Sequence, residues 1–178
     1  MSGMADGRTR WNDSRTTMVE DPTSFEDFFH TERDRLFRVL CVITGSRQEA
    51  EDISQDAFAR LWERWPSVST MENPAGYLHR TAMNLFRNRY RRALLAARRG
   101  FAPSLEDDAY EAVDDRQVAL QVLRSMAPRQ RAAIVLTEVL GYSASEAAKM
   151  LGIRASTVRA LHFQARSTLR DLREATDA

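Results

Sequence analysis

The chain is poor in the residues that carry metal and redox chemistry. In 178 residues it has one cysteine, Cys41, and three histidines, His30, His79 and His162. A lone cysteine excludes an intramolecular disulfide, and its apolar helical surroundings favour a reduced, buried thiol. The histidines lie far apart, and none stands at a metal-ligand spacing from Cys41, so no metal site is expected. No glycine-rich phosphate loop occurs, and the plentiful carboxylates fall at solvated helical positions. Neither a cofactor nor an enzymatic activity is expected. Glycine and proline are few, seven and five, which leaves helix as the expected state. No apolar run is long enough to cross a bilayer, so membrane insertion is not expected. The N-terminus lacks the apolar core of a signal peptide, which favours a cytoplasmic location.

Net charge is also scarce, at +1, but the neutrality is a sum over segregated runs. Arg87, Arg89, Arg91, Arg92, Arg98 and Arg99 form a basic stretch with no acidic residue among them. Glu106, Asp107, Asp108, Glu111, Asp114 and Asp115 follow as an acidic one. Such segregation is the footprint of a local nucleic-acid contact in an otherwise balanced protein. Lys149 is the only lysine among 26 basic residues. Arginine suits bidentate phosphate contacts, and a GC-rich genome produces the same bias.

The pattern predicts an all-α chain of two small helical domains joined by a flexible linker. Residues 1–22 read as a polar, disordered tail in which Trp11 is the odd residue. A first domain spans 23–92. Thr23 or Ser24 caps a helix with apolar positions at Phe25, Phe28, Phe29, Leu36, Phe37, Leu40 and Ile43, and Gly45 ends it. Ser46 with Glu49 reads as a capping box for a second helix that buries Ala50, Ile53, Ala57 and Leu61. That helix is expected to run to about Trp65 and stop at Pro66, with a polar loop over 67–72. Asn73 and Pro74 start a third helix, which buries Leu78, Ala82, Leu85 and Phe86. Residues 93–115, with Gly100, Pro103 and the acidic run, read as linker. A second domain spans 116–173, and 174–178 form a tail. Pro128 starts a helix there with Ile134, Val135, Leu136 and Val139 as apolar anchors.

The last third carries the sharpest local signal. Ser143 and Glu146 form a capping box, Ala147, Ala148 and Leu151 line one helix face, and Gly152 supplies a left-handed corner. The next helix buries Val158, Leu161, Ala165 and Leu169 at spacings of three and four. This is a helix-turn-helix, whose second helix enters the major groove. Ser156, Thr157, Arg159, His162 and Phe163 are candidate base readers, and Lys149, Arg154 and Arg166 candidate phosphate contacts. Two further surfaces stand out. On one, Asp52, Gln55 and Asp56 interleave with Phe58 and Trp62; composition alone favours core plus a wet face, with protein docking as the other reading. On the other, Arg80, Asn84, Arg87, Asn88 and Arg91 form a polar stripe at helical spacing with no matching acids.

In order along the chain, Glu51-Asp52-Ile53-Ser54-Gln55-Asp56-Ala57-Phe58 with Leu61-Trp62, Asn73-Pro74-Ala75-Gly76-Tyr77-Leu78, Asn84-Leu85, Pro128-Arg129-Gln130-Arg131 and the stretch 141–169 resemble a bacterial RNA polymerase sigma factor of the extracytoplasmic-function group. The resemblance implies region 2 and region 4 of the sigma-70 family, with neither region 3 nor the acidic N-terminal region of primary sigma factors. It implies that Asp52, Gln55, Asp56, Phe58 and Trp62 dock on the beta-prime clamp helices of core polymerase, with the beta flap as a further contact. Ser69, Thr70 and Met71, together with Arg80, Asn84, Arg87, Asn88 and Arg91, would hold the melted minus-ten element and capture an extruded base. The last helix would read the minus-thirty-five element as duplex. The acidic linker resembles the segment that threads near the template channel. Arg80 and Thr81 stand where primary sigma factors carry a duplex-wedging tryptophan pair, and Arg154 where many relatives have a capping serine. The resemblance also admits an anti-sigma factor as partner. The alternative is a stand-alone dimeric helix-turn-helix regulator.

Overall fold

The computed structural model describes residues 24–99 and 123–176, all of it helix, turn or loop. The acidic run, Trp11, the tail over 1–22 and most of the expected linker lie outside the described residues. In the N-terminal domain, helix α1 spans Phe25–Thr44, α2 Arg47–Glu63, α3 Trp65–Val68 and α4 Pro74–Arg98. In the C-terminal domain, α5 spans Pro128–Ile134 and leads directly into a π-helical turn, Val135–Val139. Helices α6, Ala144–Leu151, and α7, Ala155–Thr176, follow, and residues 123–125 before α5 are also helical. No described helix is long and apolar enough to cross a membrane.

The helix starts follow from short polar side chains that satisfy orphan backbone donors. Ser24 accepts from the Asp27 N–H, Ser46 from that of Glu49 and Asn73 from that of Gly76 at 2.7 Å. Ser143 and Glu146 make the full reciprocal box; at Ser46 only the half toward Glu49 forms. Gly45 and Gly152 end α1 and α6 in the left-handed region, at φ 75° and 64°, where a Cβ is costly.

Five expectations need correction. Pro66 does not stop α2, which has already ended at Glu63; it sits in the first turn of α3, where a missing N–H costs nothing. The loop is therefore shorter, because Ser67 and Val68 are helical and Val68 is buried. Helix α4 runs past residue 92 to Arg98, and α7 continues through Thr176 rather than giving way to a tail at 174. Val139 is 62% exposed rather than an anchor. The π-helical turn adds a residue and rotates it off the core face, while Val135 and Leu136 stay buried.

The two domains pack on one another. Ala132, Leu136, Ala147, Leu151 and Val158 of the second belong to the same buried cluster as Leu36, Ile53, Leu61 and Leu78 of the first. Helix α1 meets α5, and α4 meets α6. A freely linked pair with undefined placement is expected from sequence; instead one apolar core runs across both domains.

Candidate nucleic-acid interface

The first surface is built by α1 and α2. Ile53, Ala57 and Leu61 take the buried face of α2, which leaves Asp52, Gln55 and Asp56 exposed along its outer side. Phe58 is only 5% exposed and belongs to the core, whereas Trp62 is 56% exposed. Trp62 stands edge-on to Phe25 at 4.7 Å, Phe25 in turn meets Trp65 at 5.4 Å, and Phe58 underlies Phe29 at 4.8 Å. The result is an aromatic platform beside a carboxylate row. Sequence reasoning found Trp62 but missed Phe25 and Phe29 as its supports. It also missed Arg89, which reaches from α4 to Asp52 at 3.2 Å and Asp56 at 3.0 Å. That contact joins positions 37 and 33 residues apart, so nothing local announces it. It fixes the two carboxylates in place, although a half-exposed pair of this kind adds at most about 1 kcal/mol of stability.

The second surface lies on α4 and the segment before it. Asn73 and Pro74 start α4, and Leu78, Ala82, Leu85 and Phe86 hold it on the core. Arg80 and Arg91 are exposed, and Asn84, Arg87 and Asn88 half-buried. Next to this stripe lies a cavity of about 410 Å³ lined by Glu63, Arg64, Pro66, Ser67, Val68, Met71 and Tyr77. Met71 is an exposed wall of it; Thr70 is exposed and tied down by its hydroxyl to the Ser67 carbonyl at 3.0 Å, and Ser69 is half-buried. Arg64 reaches the Tyr77 hydroxyl across it at 3.5 Å. An apolar floor with a phenol and a guanidinium at its rim can stack and hydrogen-bond a planar base.

The third surface is the helix-turn-helix. Val158 and Ala165 anchor α7, with Leu161 half-buried between them; Leu169 carries no described side chain. Ser156, Thr157, Arg159 and Arg166 are exposed on the outside of α7, and Phe163 is 73% exposed. Lys149 and Arg154 flank the turn, both exposed. His162 is half-buried because Glu138, on the π-helical turn, takes its Nε2 and also reaches Arg166 at 3.7 Å. Glu138 was invisible to sequence reasoning, since the π-helical geometry that aims it has no local signature.

Between the domains lies a seam with polar contacts. His79 and Glu32 are both buried. Burial, with Arg35 nearby, lowers the His79 pKa to about 4, so the ring is neutral at ordinary pH. His79 Nδ1 and the Tyr142 hydroxyl share a hydrogen bond of 2.7 Å. The Glu32 Oε2 to His79 Nε2 gap is 4.0 Å, and neither atom has a hydrogen bond; each such buried group costs about 1–3 kcal/mol. Arg131 donates to the buried Thr44 carbonyl at 3.1 Å. Burial also pushes the Cys41 thiol up, away from the thiolate that redox chemistry uses. Among the described residues no group of histidine, cysteine and carboxylate side chains could hold a metal ion.

Comparison with known proteins places these surfaces. Residues 28–94 match the family described as Sigma-70 region 2, and residues 116–169 the one described as Sigma-70, region 4. The RNA polymerase sigma-E factor of Streptomyces coelicolor is 31% identical over 149 residues, covering 83% of this chain and 84% of that protein. The chain belongs to the extracytoplasmic-function sigma factors of the sigma-70 family. A further relative is the ECF RNA polymerase sigma factor SigE of Mycolicibacterium smegmatis, 29% identical over 83% of this chain and 61% of that protein. Among solved structures, the sigma factor RpoE in complex with the anti-sigma factor NepR from Bartonella quintana superposes with a TM-score of 0.65. The match is 21% identical and covers 84% of this chain and 96% of that one, a likeness of fold. A sigma factor is the promoter-recognising subunit of RNA polymerase, so membership assigns the chain to transcription initiation. The stand-alone dimeric regulator is not favoured. In this sigma factor, region 2 carries the first two surfaces and region 4 the helix-turn-helix.

Proposed function

We propose that this sigma factor reads promoters in two parts while seated on core RNA polymerase in the cytoplasm, with no catalytic step of its own. Asp52, Gln55, Asp56 and Trp62 dock on the beta-prime clamp helices, with Phe58 supporting them from the core, and region 4 meets the beta flap. Arg80, Asn84, Arg87, Asn88 and Arg91 hold the opened minus-ten strand, while Ser69, Thr70 and Met71 border the pocket that takes an extruded base. Leaving the stack costs that base a few kcal/mol, which stacking in the pocket offsets. On α7, Ser156, Thr157, Arg159, His162 and Phe163 read the minus-thirty-five duplex, with Lys149, Arg154 and Arg166 on its phosphates. The domains that carry these roles are 23–92 for region 2 and 116–173 for region 4, with α4 and α7 running on to Arg98 and Thr176. The observation that carries the reading is the pairing in one chain of an arginine–asparagine helix beside an open pocket of about 410 Å³ with an outward-facing helix in a helix-turn-helix. An anti-sigma factor completes the partner set, as one does for the Bartonella protein.

Docking is tested by Gln55→Ala with Asp56→Ala, both exposed. The double variant is expected to keep its helix content and thermal midpoint within a few degrees and to bind core polymerase at least tenfold more weakly. Unchanged affinity in a competition assay would remove these residues from the docking surface.

A further inference from the structure

Arg89 stands in the basic run of α4 but not on its polar stripe. Arg80, Asn84, Arg87, Asn88 and Arg91 recur at spacings of three and four, whereas Arg89 lies on the side of α4 that packs on α2. There its guanidinium spans two carboxylates one helical turn apart. Nη1 donates to Asp52 Oδ2 at 3.2 Å and Nη2 to Asp56 Oδ2 at 3.0 Å. Glu49 of α2, half-buried, lies in the same field: burial pushes its carboxyl up, against the pull of Arg89 and Arg131. Arg89 thus faces the acidic edge of α2.

Each of these bonds engages one oxygen of a carboxylate. The other oxygen, Oδ1 of Asp52 and of Asp56, takes no hydrogen bond among the described residues, and both side chains are 51% exposed. Two like charges four residues apart on a helix repel. A guanidinium between them relieves that repulsion and fixes both side chains, and a side chain already fixed loses less freedom when a partner binds. The planar fork of arginine makes this possible, because it donates along two directions where an ammonium is a point charge. On charge alone Arg89 would hinder docking, since it cancels one of the two negative charges that draw a cationic partner. Positioning and net charge therefore predict opposite signs for its removal.

We infer that Arg89 is a positioning residue of the polymerase-docking surface, setting the Asp52 and Asp56 carboxylates so that their outward oxygens meet cationic donors on core polymerase together. The inference rests on the proposed docking role of Asp52 and Asp56. It takes Arg89 out of the nucleic-acid contacts that a place in a basic run suggests. It also gives α4 two tasks, with the polar stripe on one side for the opened strand and Arg89 on another for the dock. A docking partner then meets α2 side chains whose geometry α4 sets.

The test is a double-mutant cycle on the full chain, read as the affinity and the rates of binding to core polymerase. Arg89→Ala is expected to weaken binding about five- to tenfold while association at low salt becomes faster, so that the loss lies in faster dissociation. In the Asp52→Asn, Asp56→Asn background the same substitution is expected to change affinity by no more than about twofold, because no carboxylate remains to be positioned. Arg89→Lys keeps the charge and loses the fork, and is expected to fall between wild type and Arg89→Ala. Helix content and thermal midpoint of each variant separate positioning from unfolding. Tighter binding by Arg89→Ala, or an equal loss with and without the aspartates, would overturn the inference. So would a salt dependence of single-strand binding by the assembled complex that Arg89→Ala makes shallower by about 0.7, the mark of a lost phosphate contact. If the two Asn substitutions weaken core binding and Arg89→Ala does not, the inference falls and the docking assignment stands. If neither weakens it, both fall.

Discussion

His79 shows how one residue changes meaning between sequence and structure. In the sequence it is a histidine without partners; in the fold it is a neutral ring packed between Glu32 and Arg35 of α1 and Tyr142 of region 4. Its folded pKa of about 4 lies below the ordinary 6.5. As pH falls, the unfolded chain therefore takes up this proton first. Stability from this site is complete above pH 6.5, declines through the window between, and is lost below about 4. The loss is bounded at about 3 kcal/mol by the size of the shift. Urea unfolding of wild type and His79→Phe between pH 4 and 7 is expected to show a shallower decline in the variant. Parallel declines would mean that another group governs acid sensitivity.

At the scale of elements, the sequence was most legible where structure is local. Ser24, Asn73 and Ser143 cap helices because a short oxygen reaches the third N–H of the following turn, and that needs no tertiary context. Buried stripes such as Ala50, Ile53, Ala57 and Leu61 could be read for the same reason. What was not legible depended on distant packing. Val135–Val139 carries an ordinary helical sequence, yet forms a π-helical turn that turns Val139 outward and aims Glu138 at α7. Arg89 reads as one more member of a basic run, although it holds Asp52 and Asp56. Glu138 sets a carboxylate beside Arg166 on the reading helix, which limits sequence-independent attraction to phosphate. Glu138→Gln is accordingly expected to raise polymerase-bound affinity for random duplex several-fold and to steepen its salt dependence. An unchanged salt slope would show that Glu138 only supports the helix.

For the whole molecule, neutrality and closure belong together. A net charge of +1 gives little long-range attraction for DNA, and the α4 edge is covered by region 4. The free chain is thus expected to bind promoters poorly on its own. The fold class and the order of the surfaces could be read from the sequence, because they depend on periodicity and motif. The packing of region 4 on region 2 could not, since Tyr142 and His79 are 63 residues apart and neither has a local signal. The central claim is most directly tested by permanganate probing of promoter fragments retained by core polymerase plus this chain. Reactive thymines are expected at the minus-ten element only when both proteins are present, with protection at minus thirty-five in the same complex. Protection of closed duplex by the chain alone, or no reactive thymines with both present, would contradict the account.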